Sequence, residues 1–205
     1  MSEFVHLHTH SEYSLLDGAG RVADLVRRVK EAGMPAIALT DHGNMYGAVE
    51  FFKQARKYGI RPIIGCEVYI SPRSRFDKVA GEGEAYYHLV LLAETQAGYS
   101  QLVELVSRAY TEGFYYKPRI DKALLAEHHE GLIGLSACIA GEIPSLILKG
   151  DMAAAEAAAR EYVEIFGQDN FFIEIQDHGI PEQQQSTLLL VELARKLQLG
   201  LVATN

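Results

Sequence analysis

HLHTHSEYSLLDG, residues 6–18, sets histidines at positions 6, 8 and 10 and follows them with Glu12 and Asp17. Residues 4–8 read as a short β-strand, and side chains two apart in extended chain point to one side. His8 and His10, at the end of that strand, are therefore placed to grip one cation together, whereas His6 lies deeper and reads as a packed core histidine.

Working outward, the same arrangement recurs. Apolar runs over 36–40, 62–70, 87–93, 132–136, 171–175 and 201–204 read as further strands. Helical spacing joins Val22, Leu25, Val26 and Val29, and then Ala48, Phe51, Phe52 and Ala55. Longer helices fit 96–112, 152–166 and 183–197, with Gly and Pro at the joints. Strands alternating with helices predict a single α/β domain over 1–205 with a parallel sheet, and seven such units suffice to close a barrel. Residues 71–85 read as a mobile polar loop, with Arg73, Arg75 and Lys78 as a small basic patch on it.

Ligands of parallel α/β folds gather at the carboxyl ends of the strands. LTDHGN puts Asp41 and His42 directly after the second strand; Glu67 lies in the third, in IIGCEVY; His88 opens the fourth, in YYHLVLLA. Cys138 follows the fifth in GLSACIAG, and Asp177 and His178 follow the sixth in EIQDHG. Any one of these has an ordinary structural reading: Cys138 as a small buried hydrophobe, Glu67 with His88 as a satisfied pair, His128 and His129 as solvated loop residues. Six successive strand ends carrying His, Asp, Glu or Cys, against Gly, Pro and Lys at the opposite joints, do not sort that way by chance, so the rim is a candidate site.

Composition limits the rest. A formal net charge of −8 argues against an autonomous nucleic-acid-binding domain, though cations held by the chain would let an anionic substrate approach. No apolar run reaches the roughly 20 residues of a membrane span. The start, MSEFVHLH, carries no basic leader, and there are only 2 cysteines, so a reduced, cytoplasmic setting without membrane contact is expected.

HLHTHSEYSLLDG, LTDHGNMYGAVEF, GCEVY and SRAYTEGFYYKPRID together resemble the PHP (polymerase and histidinol phosphatase) domain. GFYYKPRID and EIQDHGIPEQ narrow the resemblance to the N-terminal part of bacterial replicative DNA polymerase III alpha subunits. That resemblance implies a distorted seven-stranded (β/α)7 barrel of the PHP type and a cluster of up to three metal ions. The implied ligands are His8, His10, Asp17, His42, Glu67, His88 and Cys138, with Asp17 and Cys138 standing where other PHP proteins often have histidine. The family's last motif, Asp-X-His, would begin where the chain stops at LVATN, so the domain is expected to be cut just before it and the barrel to be incomplete at its C-terminus.

Imidazole, carboxylate and thiolate donors suit Zn²⁺, Mn²⁺ or Fe²⁺ better than Mg²⁺ or Ca²⁺. For the polymerase branch the resemblance implies 3′→5′ exonuclease hydrolysis of DNA at the primer 3′ end, as part of a DNA-directed DNA polymerase (a nucleotidyltransferase) whose polymerising site lies elsewhere. Partners implied are the remainder of the polymerase chain and the proofreading exonuclease subunit. Asp41 is expected to orient ligands, Lys117 and Arg119 to contact phosphate, and His178 to orient ligands or meet substrate. Two alternatives stay open: a non-catalytic, metal-stabilised module that supports the polymerase and docks the proofreading subunit, and a small-molecule phosphatase of the histidinol phosphatase type.

Overall fold

The computed structural model describes residues 4–15, 17–78 and 86–204. Fourteen elements follow one another: α1 (Val22–Glu31), β1 (Ala36–Leu39), α2 (Ala48–Tyr58), β2 (Arg61–Ile70), β3 (Tyr87–Ala93), α3 (Gln96–Thr111) and β4 (Arg119–Ile120), then α4 (Lys122–Glu127), β5 (Leu132–Leu135), α5 (Glu142–Leu148), α6 (Met152–Phe166), β6 (Phe171–Gln176), α7 (Pro181–Leu197) and β7 (Gly200–Thr204). Local chemistry sets the boundaries. Thr95 and Asp151 cap α3 and α6 by accepting from Gly98 N and Ala154 N. Gly59 ends α2 in the left-handed region at φ 68°, and Pro181 opens α7.

The strands form one sheet in the order β1-β2-β3-β5-β6-β7, with β4 beside the far end of β2. Strand parity explains its two faces. Cys66, Val68 and Ile70 of β2 and Leu89 and Leu91 of β3 point outward into a core shared with α3, α5, α6 and α7. Ala38, Val90, Leu92 and Leu135 point the other way and meet Leu7, Ile63, Phe172 and Val202 in a separate inner cluster. Side chains from both ends of the strand order reach that cluster, so the sheet curls into the distorted barrel that was expected.

Two expectations need correction. The sheet is mixed, since β3 runs antiparallel to both β2 and β5. Between the two strands the described residues 71–78 form bends and turns and no helix, whereas a parallel pair needs a long crossover, usually helical. Residues 4–8 are not a strand: only His6 pairs, with Ile37. His6 O accepts from Ala38 N (2.8 Å) and Thr9 O from Thr40 N (2.9 Å), so three steps of chain face two and the surplus residue bends the backbone at Leu7 and His8.

The expected mobile loop over 71–85 is tied down in its described part, and 79–85 lie outside the described residues. Ser71 N donates to Ile120 O at 2.7 Å, while Arg75 pairs with Asp121 (3.0 Å) and Glu112 (2.6 Å). Arg73 pairs with Asp77 at 3.1 Å, so both arginines of the supposed basic patch are matched by carboxylates. Among the described residues no helix is long and apolar enough to cross a membrane.

Candidate metal centre

Glu67 is the middle of the site. It sits halfway along β2 with its side chain on the inner face, level with Val90, and is 1% exposed. Its Oε2 lies 3.2 Å from His8 Nε2, 3.2 Å from His10 Nε2 and 2.9 Å from His42 Nδ1. Its Oε1 lies 2.8 Å from His88 Nδ1 and 3.9 Å from Cys138 Sγ, and Cys138 Sγ is 3.7 Å from His88 Nδ1. Asp17 completes the outer side, 2.5 Å from His42 Nε2 and 3.7 Å from His10 Nε2.

Each side chain arrives by an identifiable device. The bend at residues 7–8 lets Leu7 enter the inner core while His8 and His10 turn to Glu67. His42 follows β1 and pairs across to Glu67. His88 is the second residue of β3, which would be the wrong end in a parallel sheet; because β3 is antiparallel, its N-terminal end stands at the rim where the parallel strands finish. Cys138 follows Ala137, whose φ of 62° turns the chain out of β5. Gly18 closes the 11–18 loop, where an added Cβ would come within 2.1 Å of Ser11 O.

Asp41 touches no ligand of the cluster. Its carboxylate accepts from Ser11 N (2.7 Å), Ser11 Oγ (2.8 Å) and Ser14 Oγ (2.7 Å), and Ser14 Oγ stands 3.4 Å from His10 Nδ1. Two serines thus link it to the histidine loop. Lys117 extends over the Tyr69 ring at 5.3 Å, and that ring stacks on His42 at 6.0 Å, so the ammonium stands at the mouth.

Arg119 departs from its expected role as a phosphate contact. It is 3% exposed and donates to Gly113 O, Arg75 O and Asp77 O, because the loops on either side leave these carbonyls for it to satisfy. His178 is exposed and turned aside: its N donates to Gln183 Oε1 (2.8 Å), and its Nδ1 is 3.0 Å from Gln183 Nε2. Among the described residues its link to the cluster runs through Gln183 and Gln176.

Glu174 went unnoticed in the sequence. Buried in β6, it accepts from His8 Nδ1 (2.7 Å), Gln176 Nε2 (3.0 Å) and the Thr204 hydroxyl. The available signal was a carboxylate inside the apolar run FFIEI on the same strand face as Phe172.

Burial works to lower the pKa of His8, but Glu174 and Glu67 outweigh it and push it up to about 10. Burial would raise the Glu67 carboxyl, yet His8, with His10 and His42, holds it well below the usual carboxylate range. Burial, reinforced by Glu67, pushes the Cys138 thiol up to about 12. The hydrogen bond from His42 lowers Asp17.

Protons alone leave this arrangement unsatisfied. Glu67 Oε2 and His42 Nδ1 are both buried and in close approach, but neither has a partner in hydrogen-bonding geometry. A cation resolves that, since lone pairs that fail to align through a proton still converge on an ion. Three overlapping sets, His8–His10–Glu67, His10–Asp17–His42 and His42–Glu67–His88, each bring one donor atom per residue within 4.8 Å of the others. The donors thus fit one or more metal ions, with Glu67 common to two sets.

The PHP domain pattern matches residues 6–178. The chain is 55% identical over 203 residues (98% of it) to DNA polymerase III subunit alpha of Treponema pallidum and 54% identical over 207 residues (99% of it) to that of Thermus aquaticus. It spans only 17% of the length of each of these relatives. Among solved structures, a two-domain protein of Bacteroides vulgatus containing a predicted PHP-like metal-dependent phosphoesterase superposes with a TM-score of 0.54 at 15% identity, covering 98% of this chain and 50% of that one. An amidohydrolase from Chromobacterium violaceum, with bound sulfate and no metal, gives 0.52 at 18% identity, covering 98% and 86%. The curled barrel, the histidine-rich mouth and the matched pattern agree: the chain belongs to the PHP domain family.

Proposed function

We propose that this chain is the PHP part of a DNA polymerase III alpha subunit and that its mouth is a metal-dependent phosphoesterase, cleaving DNA phosphodiesters in the 3′→5′ exonuclease manner. The observation that carries the reading is the Glu67 carboxylate, surrounded by four imidazoles and a thiol with one oxygen left unsatisfied. His8, His10, Asp17, His42, Glu67, His88 and Cys138 are the proposed ligands.

Divalent ions held there supply water activation near neutral pH and counter-charge for a phosphate. The chain's own groups do the rest. Glu174 keeps His8 Nδ1 engaged, so that Nε2 faces Glu67. Asp41 and Ser14 fix His10, and Asp17 anchors His42 from the open side. Tyr69, stacked on His42, walls the mouth against bulk water, and Lys117 above it offers a point charge to an entering phosphate.

The test uses the full-length polymerase chain carrying this segment, loaded with Zn²⁺ or Mn²⁺ and given a labelled single-stranded oligonucleotide. Stepwise shortening from the 3′ end, abolished by His8→Ala without loss of folding, is expected, with histidinol phosphate inert. No shortening, or shortening indifferent to His8→Ala, overturns the reading; metal-dependent stability without cleavage would leave the domain a structural support.

A further inference from the structure

Lys117 is the cation at the mouth, and the residue before it is anomalous. Tyr116 is 79% exposed and has φ 60°, a left-handed conformation that a bulky aromatic adopts only at a cost. The geometry is held by a tight turn in which Tyr115 N donates to Lys117 O at 3.1 Å, and Tyr115 meets Tyr116 edge-on at 4.6 Å. The turn is locked to the site: a Cβ added at Gly43, next to His42, would press on Pro118 at 2.9 Å and on Tyr69 at 2.9 Å. A second aromatic stands against Tyr69, the ring that Lys117 covers. Tyr86 is half-buried, parallel to His88 at 6.0 Å and edge-on to Tyr69 at 4.9 Å.

Strain spent on holding an apolar ring out in solvent contributes nothing to folding, which points to a ligand for that ring. We propose that Tyr116, Lys117 and Tyr86 form an entry rim for unpaired nucleic acid, Lys117 meeting a backbone phosphate and the two tyrosines stacking on base faces. This deepens the phosphoesterase reading and rests on it for the identity of the strand. The favoured ligand is a single strand rather than a duplex, because stacked pairs present no free base face and every unpaired base has one. With a net charge of −8, the chain has little long-range attraction for DNA, so stacking must carry most of the binding.

The experiment measures fluorescence anisotropy of a 3′-labelled oligo(dT) and of a blunt duplex on the full-length, metal-loaded protein, alongside metal content and thermal midpoint. Tyr116→Gly relieves the left-handed strain, so it raises the midpoint while weakening single-strand binding on the order of tenfold. Tyr116→Phe keeps the ring and retains binding. Lys117→Ala lowers the slope of log K against log salt by about 0.7, the value for one phosphate contact on a single strand. Metal content stays at the wild-type level throughout. Wild-type single-strand affinity in Tyr116→Gly, or an equal loss of affinity for the duplex in that variant, overturns the rim, even if cleavage proceeds. Ring-dependent binding of a strand that is never cleaved would sink the phosphoesterase reading and leave the rim standing.

Discussion

Replacing Glu174 by Gln tests how the centre is held from behind. The substitution keeps volume and one acceptor oxygen but removes the charge 2.7 Å from His8 Nδ1. Its contacts from His8, Gln176 and Thr204 all fall on Oε1, whose place the amide oxygen can take, so the new NH2 falls at Oε2, which is buried without a hydrogen-bond partner. That unmatched amide costs about 1–3 kcal/mol of stability, and two things change at His8: its proton affinity falls from the value of about 10 that Glu174 and Glu67 maintain, and its ring loses a charged anchor. Removing the carboxylate behind a ligating imidazole typically costs 10- to 100-fold in metal affinity, or about 1.4–2.8 kcal/mol. Competition against a chromophoric chelator reads this directly, with the metal-free thermal midpoint as a folding control. An affinity within about threefold of wild type, in protein that remains folded, would refute the claim that Glu174 positions His8.

Asp41→Ala strips three accepted hydrogen bonds from Ser11 and Ser14 and is expected to lower stability by about 2–4 kcal/mol, read by denaturant titration, with loosened metal binding through His10. Arg119→Lys should also destabilise, by about 1–3 kcal/mol, since one ammonium cannot reproduce a fork shared among three carbonyls; metal content should not change. In metal-free protein, the stability that His8 contributes is fully present below the ordinary histidine value of 6.5 and is lost as pH rises through about 10. That from Glu67 is present above 4.5 and lost as pH falls below it, so the metal-free thermal midpoint should peak between those limits. Added Zn²⁺ competes with protons for the imidazoles, so its stabilising effect should grow from about pH 6 to 8, and a pH-independent effect would contradict the ligand set.

Much of this was legible in the chain because it rests on periodicity and on short spacings. The alternation of strands and helices, and the sorting of His42, Glu67 and Cys138 to one rim, follow from where apolar runs stop. The rim position of His88 was also legible, though the parallel sheet assumed for it was wrong; the antiparallel β3 brings a strand's N-terminal end to the rim. His8 and His10 do share a side, but through a bent backbone rather than a regular strand. What failed depends on tertiary partners. Arg119 looks like a free loop cation in sequence, and only the carbonyls of 75, 77 and 113 reveal that it is consumed. Glu174 hides inside an apolar strand, and its meaning appears once His8, 166 residues away, is seen against it.

Anomalous diffraction from crystals grown with Zn²⁺ or Mn²⁺ tests the central claim most directly. The account predicts ion peaks at about 2.0–2.3 Å from Glu67 and from nitrogens of His8, His10, His42 or His88. Ions bound elsewhere, or a mouth that stays free of metal while these side chains keep their places, would contradict it.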